Sequence, residues 1–444
     1  MHIFTRLLIP FFLVVATSSA LAQTLNLSTA YQLAIENDAQ LHAAYNQLLA
    51  SKEVKPQALA DLLPSINASA NTNDVRQESE SSFSGNGKST NQFRDEGFSV
   101  SLRQPLFNWA SFVRYNQASR QVSRAETTYQ LAKQALILRL TERYLNTLQS
   151  DVNLALANSD VKAFERQLLQ AKTRFDVGLI AITDVHDAQS RYDLSVAAQI
   201  IAQDNLDSNQ ESLKEIIQTD SLSLAPLTRH FNAPPPEPNN MPEWEQTAAE
   251  QNLSLIIARH DVAIAKKEVD INRSRHYPTV DIVASHNYSE TGGGSFGTGF
   301  RNESDRIGLE LNLSLFQGGK TRSLTKQAAF NHQKSLDELQ SLQRRTLRET
   351  RDFFRGVNSS LKRINALEQA IISSQSSLDA SEVGLEVGTR TIVDVLDAQS
   401  NLSRAKLQLI EAKKNYILNV LNLKAMTGSL SEQDIERINK WLQS

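Results

Sequence analysis

Cysteine is absent from all 444 residues, so the chain has no disulfide framework, no thiol chemistry and no cysteine to carry a lipid anchor. Beyond the N-terminus there is no run of about 18 apolar residues, which excludes a membrane-spanning helix. Hydrophobic residues make up only 40% and aromatics 7%, thin stock for large globular cores. An excess of one charge is missing too. The net charge is −3 with both signs interspersed, so nothing argues electrostatically for nucleic acid as a partner. Eight histidines are scattered, and no metal-ligand cluster or nucleophile motif emerges. Gly85-Asn86-Gly87-Lys88-Ser89 ends as a phosphate loop does, but Ser82 stands where the first glycine belongs. Neither an enzyme nor a metal or cofactor site is expected.

What is present begins with an export signal over residues 1–22. Arg6 supplies the positive region, Leu7 to Val15 the short apolar core and Ala20-Leu21-Ala22 the cleavage site before Gln23. The mature chain then says the same thing twice. Val177-Gly178, followed by Ile182-Thr183-Asp184-Val185-His186-Asp187-Ala188-Gln189-Ser190, returns as Val387-Gly388 and Ile392-Val393-Asp394-Val395-Leu396-Asp397-Ala398-Gln399-Ser400. The offset of about 210 residues far exceeds a solenoid period. Pro105-Leu106-Phe107 likewise returns as Ser314-Leu315-Phe316. Two quasi-equivalent repeats are expected, at 23–232 and 241–444, joined by a Pro-rich linker of polyproline character at 233–240.

Each repeat carries two segments that alternate with period two, near residues 64–75 and 97–107, then 278–288 and 305–316. The clearest sets Ile307, Leu309, Leu311, Leu313 and Leu315 against Gly308, Glu310, Asn312 and Ser314. A soluble sandwich produces the same alternation. The polar stretches Gln77 to Gly97 and Ser289 to Asp305 instead suggest long outer loops of a membrane barrel, with Tyr288 and Phe300 at its interface. Proline is absent from about 108–175 and again from 320–385, where Ala, Leu, Gln, Glu, Lys and Arg dominate. A helix of that length spans about 100 Å, too long for a globule. Leu131, Leu138, Leu145 and Val152 recur at heptad spacing, as do Phe353, Val357, Leu361 and Ile364 approximately. Gly178 and Gly388 end these helices, and the chain turns back into a second helix, giving hairpin tips near 178–184 and 388–394.

Four lipid-facing strands cannot close on themselves, and each unpaired backbone group in lipid costs several kcal/mol. Two copies would give a filled eight-stranded barrel; three give twelve strands and a lumen. The expected fold is thus a mixed α and β membrane protein. It is a trimeric 12-stranded barrel, four strands per chain, continued by a long α-helical coiled-coil barrel. A coiled-coil surface or adhesive protein with a barrel anchor is the rival, although it does not require the duplication.

The tip segments Arg174 to Val185 and Val387 to Ala398, with Asn252 to Leu255, Ser373 to Ala380 and Gly428 to Asp434, resemble those of the TolC-type outer-membrane efflux channels. The resemblance implies a homotrimeric exit channel in the Gram-negative outer membrane, its helical barrel in the periplasm. A periplasmic adaptor and an inner-membrane translocase would be its partners, and drugs, detergents or polypeptides its cargo. It implies further that Asp394 and Asp397 form rings of carboxylates at the periplasmic constriction. Read alone, their i, i+3 spacing in a first helical turn equally fits capping and dipole compensation. Thr183, Asp184 and Arg390 resemble the polar links that keep the tip closed. The family's lock carries a tyrosine where this chain has Leu385, so one link must differ. Val177, Gly178, Leu179, Val387, Gly388 and Thr389 would form the tip surface gripped by the adaptor. The extra Asp187 offers a further ring and His186 a pH sensor, although a solvated histidine on a wet helix face is the simpler expectation.

Overall fold

The computed structural model describes residues 24–81, 87–219, 223–228, 231, 233–293 and 298–442; the export signal lies outside them. The chain alternates short helices, paired strands and long hairpins, twice. The first half holds α1 (Leu27–Asn37), α2 (Ala39–Lys52), α3 (Val54–Ala60), β1 (Ser65–Ser81), β2 (Gly87–Phe107), α4 (Trp109–Asp176) and α5 (Ile182–Ile217). The second holds α6 (Met241–Gln251), α7 (Leu253–Arg273), β3 (Thr279–Thr291), β4 (Phe300–Asn312), α8 (Lys320–Glu386), α9 (Ile392–Met426) and α10 (Glu432–Asn439). No helix among the described residues is long and apolar enough to cross a membrane.

The four strands form one antiparallel sheet in the order β1-β2-β3-β4. Its central ladder joins the second strand of one repeat to the first of the other, so the halves share one sheet. Register places Ile66, Leu102, Ala284 and Ile307 in one row, with Ile282 opposite Leu309 and Val280 opposite Leu311. That face is bare: Ile307, Leu309 and Leu311 are 81%, 72% and 67% exposed. The opposite face carries Asn67, Ser69, Ser99 and Ser101, and Arg103 bonds both Asp281 (2.7 Å) and Glu310 (2.9 Å). β1 and β4 are left as open edges.

Two expectations about the strands need correction. Most of the stretch from Gln77 to Gly97 is strand, because β1 and β2 stay in register out to Ser81 opposite Gly87. Its Ser, Asn and charged side chains hide the period from the sequence, while the ladder satisfies its backbone. Conversely β4 ends at Asn312, short of Leu315, since its last partner is Thr279 at the start of β3. β4 also begins at Phe300, inside the expected loop.

Below the sheet, α4 and α8 run 68 and 67 residues, each about 100 Å. Leu145, Val357 and Ile364 of the expected heptad stripes are buried. In α4, however, burial broadens to Leu136, Leu140, Tyr144 and Leu148. A belt of other elements wraps the helix there, so one narrow seam is insufficient. The belt includes α1, α10 and the segments around Leu25, Ala225 and Phe231, packed into one cluster with Tyr144, Tyr416, Ile417 and Leu421. The Pro-rich segment joins this belt instead of hanging free. Tyr416 donates its hydroxyl to the Pro234 carbonyl (2.5 Å), and Trp244 its indole N–H to Pro238 (2.7 Å). The repeats also cap alike: Asp38 accepts from the Leu41 N–H, and Asn252 from that of Leu255.

Tyr144 is the belt's central tie. Its buried hydroxyl donates to the carbonyls of Leu25 (2.9 Å) and Ala225 (3.2 Å), and burial pushes its pKa up, so it stays a donor. Tyr144→Phe removes the hydroxyl donor from the Ala225 carbonyl, while the Leu25 carbonyl keeps the Ala225 N–H (3.2 Å), and is expected to cost about 1–3 kcal/mol. Thermal unfolding of the detergent-solubilised protein followed by circular dichroism measures this loss.

Candidate functional site

Both long helices end in the same closure. Gly178 and Gly388 adopt φ of +76° and +78°, left-handed values at which a side chain is strained. The following N–H reaches back over the last turn, Leu179 to the Arg174 carbonyl (2.9 Å) and Thr389 to that of Gly384 (2.8 Å). Val177, Leu179, Val387, Gly178, Gly388 and Thr389 are thereby displayed on exposed tips. A side chain at either glycine would meet no atom within 4 Å, so only the backbone conformation demands glycine there. Gly384 is different: a Cβ would fall 2.5 Å from Cγ of Arg390, so its bareness seats the Arg390 stem.

The two returning helices start differently, although Asp184 and Asp394 occupy equivalent positions. In α9 the Thr391 hydroxyl and the Asp394 carboxylate form a capping box. Asp394 accepts from the Thr391 N–H (2.8 Å) and hydroxyl (2.8 Å), and the Asp394 N–H donates back to that hydroxyl (3.2 Å). The N–H and then the hydroxyl of Thr391 hold the Asp394 carboxyl below the usual aspartate range, helped by Arg390 at 3.8 Å. In α5 the cap position is Ala181, which has no side-chain oxygen to offer, and the Asp184 N–H donates to its carbonyl (3.1 Å). The side chains of Thr183 and Asp184 consequently make no hydrogen bond or ion pair among the described residues. His186 and Asp187 are exposed and equally without partners there.

Apolar packing holds the tips together. Phe164, Leu168, Ala171, Val185 and Ala188 of the first hairpin pack on Leu378, Leu385, Ile392, Val395 and Leu396 of the second. Leu385, standing where the family has its tyrosine, is 5% exposed within this cluster. Arg174 donates to the Leu385 main-chain carbonyl (3.1 Å), tying the first hairpin to the second. Deeper in, Asp160 accepts from Gln399 (2.8 Å) and Ser403 (2.7 Å). Asp397 is bound by Arg191 across the hairpins at 2.8 Å. The sequence pointed to Asp394 and Asp397 but missed Arg174, Arg191, Asp160, Gln399 and Ser403. Separations of about 200 residues leave no local signal, apart from Arg191 standing one helical turn after Asp187.

Two long hairpins meeting in exposed, acid-bearing tips below a sheet with one bare apolar face and one polar face make a conduit geometry. The description "Outer membrane efflux protein" matches residues 30–218 and again 244–429, once per repeat. The chain belongs to this family. It is 35% identical to outer membrane protein TolC of Vibrio cholerae, over 98% of each chain. It is 34% identical to that of Escherichia coli, over 96% of this chain and 86% of the other. Alkaline protease secretion protein AprF of Pseudomonas aeruginosa is 29% identical, over 94% and 87%. The Campylobacter jejuni CmeC outer membrane channel shares the fold with a TM-score of 0.77 at 15% identity, over 94% of this chain and 90% of that one. As a member of the efflux family the chain is an outer-membrane protein, with its helical hairpins on the periplasmic side.

A carboxylate with a depressed pKa contributes stability above its ordinary pKa near ~4 and loses it only as pH falls through the lowered value. The capping box should therefore protect the first turn of α9 equally at about pH 7 and about pH 5. Hydrogen exchange corrected for intrinsic rates is expected to show this, with faster exchange in the uncapped first turn of α5. Thr391→Ala should abolish the difference.

Proposed function

We propose that this protein is the outer-membrane exit channel of an efflux or type I secretion machine. It conducts cargo passively from an inner-membrane translocase through a periplasmic adaptor to the exterior, and its working form is a homotrimer. The observation that carries the reading is the sheet. A bare apolar face backed by a polar one, with unpaired edges at β1 and β4, is stable in lipid only if neighbouring copies close it. Three copies give twelve strands, whose lumen is lined by the face bearing Arg103, Asp281 and Glu310. Leu59 of α3, Leu63 just beyond it and Phe330 of α8 are exposed apolar side chains that adjoining copies would cover.

In this trimer six hairpins extend the wall and converge at the tips. Asp394 and Asp397 then form neighbouring rings of three carboxylates at the constriction, attracting cations. Thr183 and Asp184, whose side chains find no partner among the described residues, face a neighbouring copy, and the Arg390 guanidinium bridges to them. Breaking these links lets the hairpins separate. The adaptor grips the small glycine turns at 178 and 388. Cargo chemistry differs among relatives, one being named for alkaline protease secretion and another for pyoverdine export. The rival adhesive reading leaves the polar face of the sheet without a role.

Planar-bilayer recording tests the proposal. The purified trimer, recognised by heat-modifiable migration, should show a small cation-selective conductance. Asp394→Ala/Asp397→Ala should weaken the selectivity and enlarge the conductance. A folded trimer with no pore in either form would sink the channel reading.

A further inference from the structure

The pairing of Asp397 deepens this reading of the tip and rests on it. A constriction carboxylate bonded to a guanidinium is not a free negative charge. Arg191 on α5 places Nη2 at 2.8 Å from Asp397 Oδ1 on α9, and both side chains are about half exposed. The contact joins the first hairpin to the second, as do Arg174 to the Leu385 carbonyl and Asp160 to Gln399 and Ser403. Of these links it is the one that neutralises a carboxylate of the proposed constriction. One turn before Arg191 on its own helix stands Asp187, the spacing and order at which an acid and an arginine pair best. That pair is not formed; among the described residues the only carboxylate within 4 Å of Arg191 is Asp397.

We propose that Arg191 couples opening of the tip to its ion selectivity. While the hairpins are together, Arg191 masks Asp397, and the negative charge presented to the lumen comes from Asp394. When they part, the guanidinium loses Asp397 and passes to Asp187, which moves with it on the same rigid helix. Asp397 is then bare in the lumen, and the open constriction is more cation-selective than the closed one. Exchanging one carboxylate for another keeps the arginine paired in both states, and the carboxylate left unpaired is Asp187 when closed and Asp397 when open. Asp187 and Arg191 thus acquire a joint role, whereas Asp187 alone had none.

The test is reversal potential and open probability of the full-length trimer in planar bilayers under a potassium chloride gradient. Heat-modifiable migration and thermal unfolding confirm that each variant assembles. Arg191→Gln should shift the reversal potential toward the potassium potential and raise open probability. Placing the same change in an Asp397→Asn background should abolish the shift in reversal potential. Asp187→Asn removes the waiting acceptor and should lower open probability, opposite in sign to Arg191→Gln. Arg191→Lys should restore much of the wild-type selectivity. A conducting wild type whose reversal potential is unmoved by Arg191→Gln would overturn the coupling and leave the channel standing. A rise in open probability with Asp187→Asn would overturn the hand-over. Absence of any wild-type pore would overturn the channel reading and this one together.

Discussion

Backbone hydrogen bonding in a medium without water governs this protein. β1 and β4 each present a row of unsatisfied N–H and C=O groups while the same sheet shows lipid an apolar face. Water can cover such edges in a soluble protein, but hydrocarbon cannot. Much else follows from completing the sheet. The chain need not carry a large core, because its helices bury seams and not globules. It need not carry cysteines, because ladder pairing and a packed belt hold it. Duplication suits the same constraint, since two strand pairs sharing one central ladder let each copy supply four strands, a third of the proposed twelve.

Duplication also permits division of labour at the tips. Gly178 and Gly388 close the long helices identically, so the turn itself is conserved between the repeats. The following cap is not. Thr391 satisfies Asp394 locally, whereas Ala181 leaves the equivalent Asp184 uncommitted. One repeat therefore stiffens the start of its returning helix, and the other leaves its equivalent carboxylate without a cap to hold it. At Leu385 an apolar side chain fills the seam between the hairpins, and its carbonyl accepts from Arg174.

Legibility of the sequence tracked the range of the forces involved. The long helices were readable because 3.6-residue patterning, absence of proline and a terminal glycine all act within a few residues. The apolar ends of the strands were readable for the same reason. The outer halves of β1 and β2 were not, because their residues gain strand conformation from the partner across the ladder and not from their own side chains. The packing of Pro234 and Pro238 against Tyr416 and Trp244 was equally hidden, a proline run saying only that helix is impossible.

By itself the sequence determined the duplication, the two hairpins with glycine tips, and the acidic pairs at Asp184 and Asp187 and at Asp394 and Asp397. Each depends on spacing along the chain, which local dihedral preferences and side-chain periodicity translate directly into structure. Only the tertiary structure decided what those carboxylates touch. Asp394 is held by its own cap, while Asp397 is held by Arg191, 206 residues away. Charge pairing is a matter of distance in space, and which helix faces come within 3 Å is set by packing of whole hairpins, which no local pattern encodes.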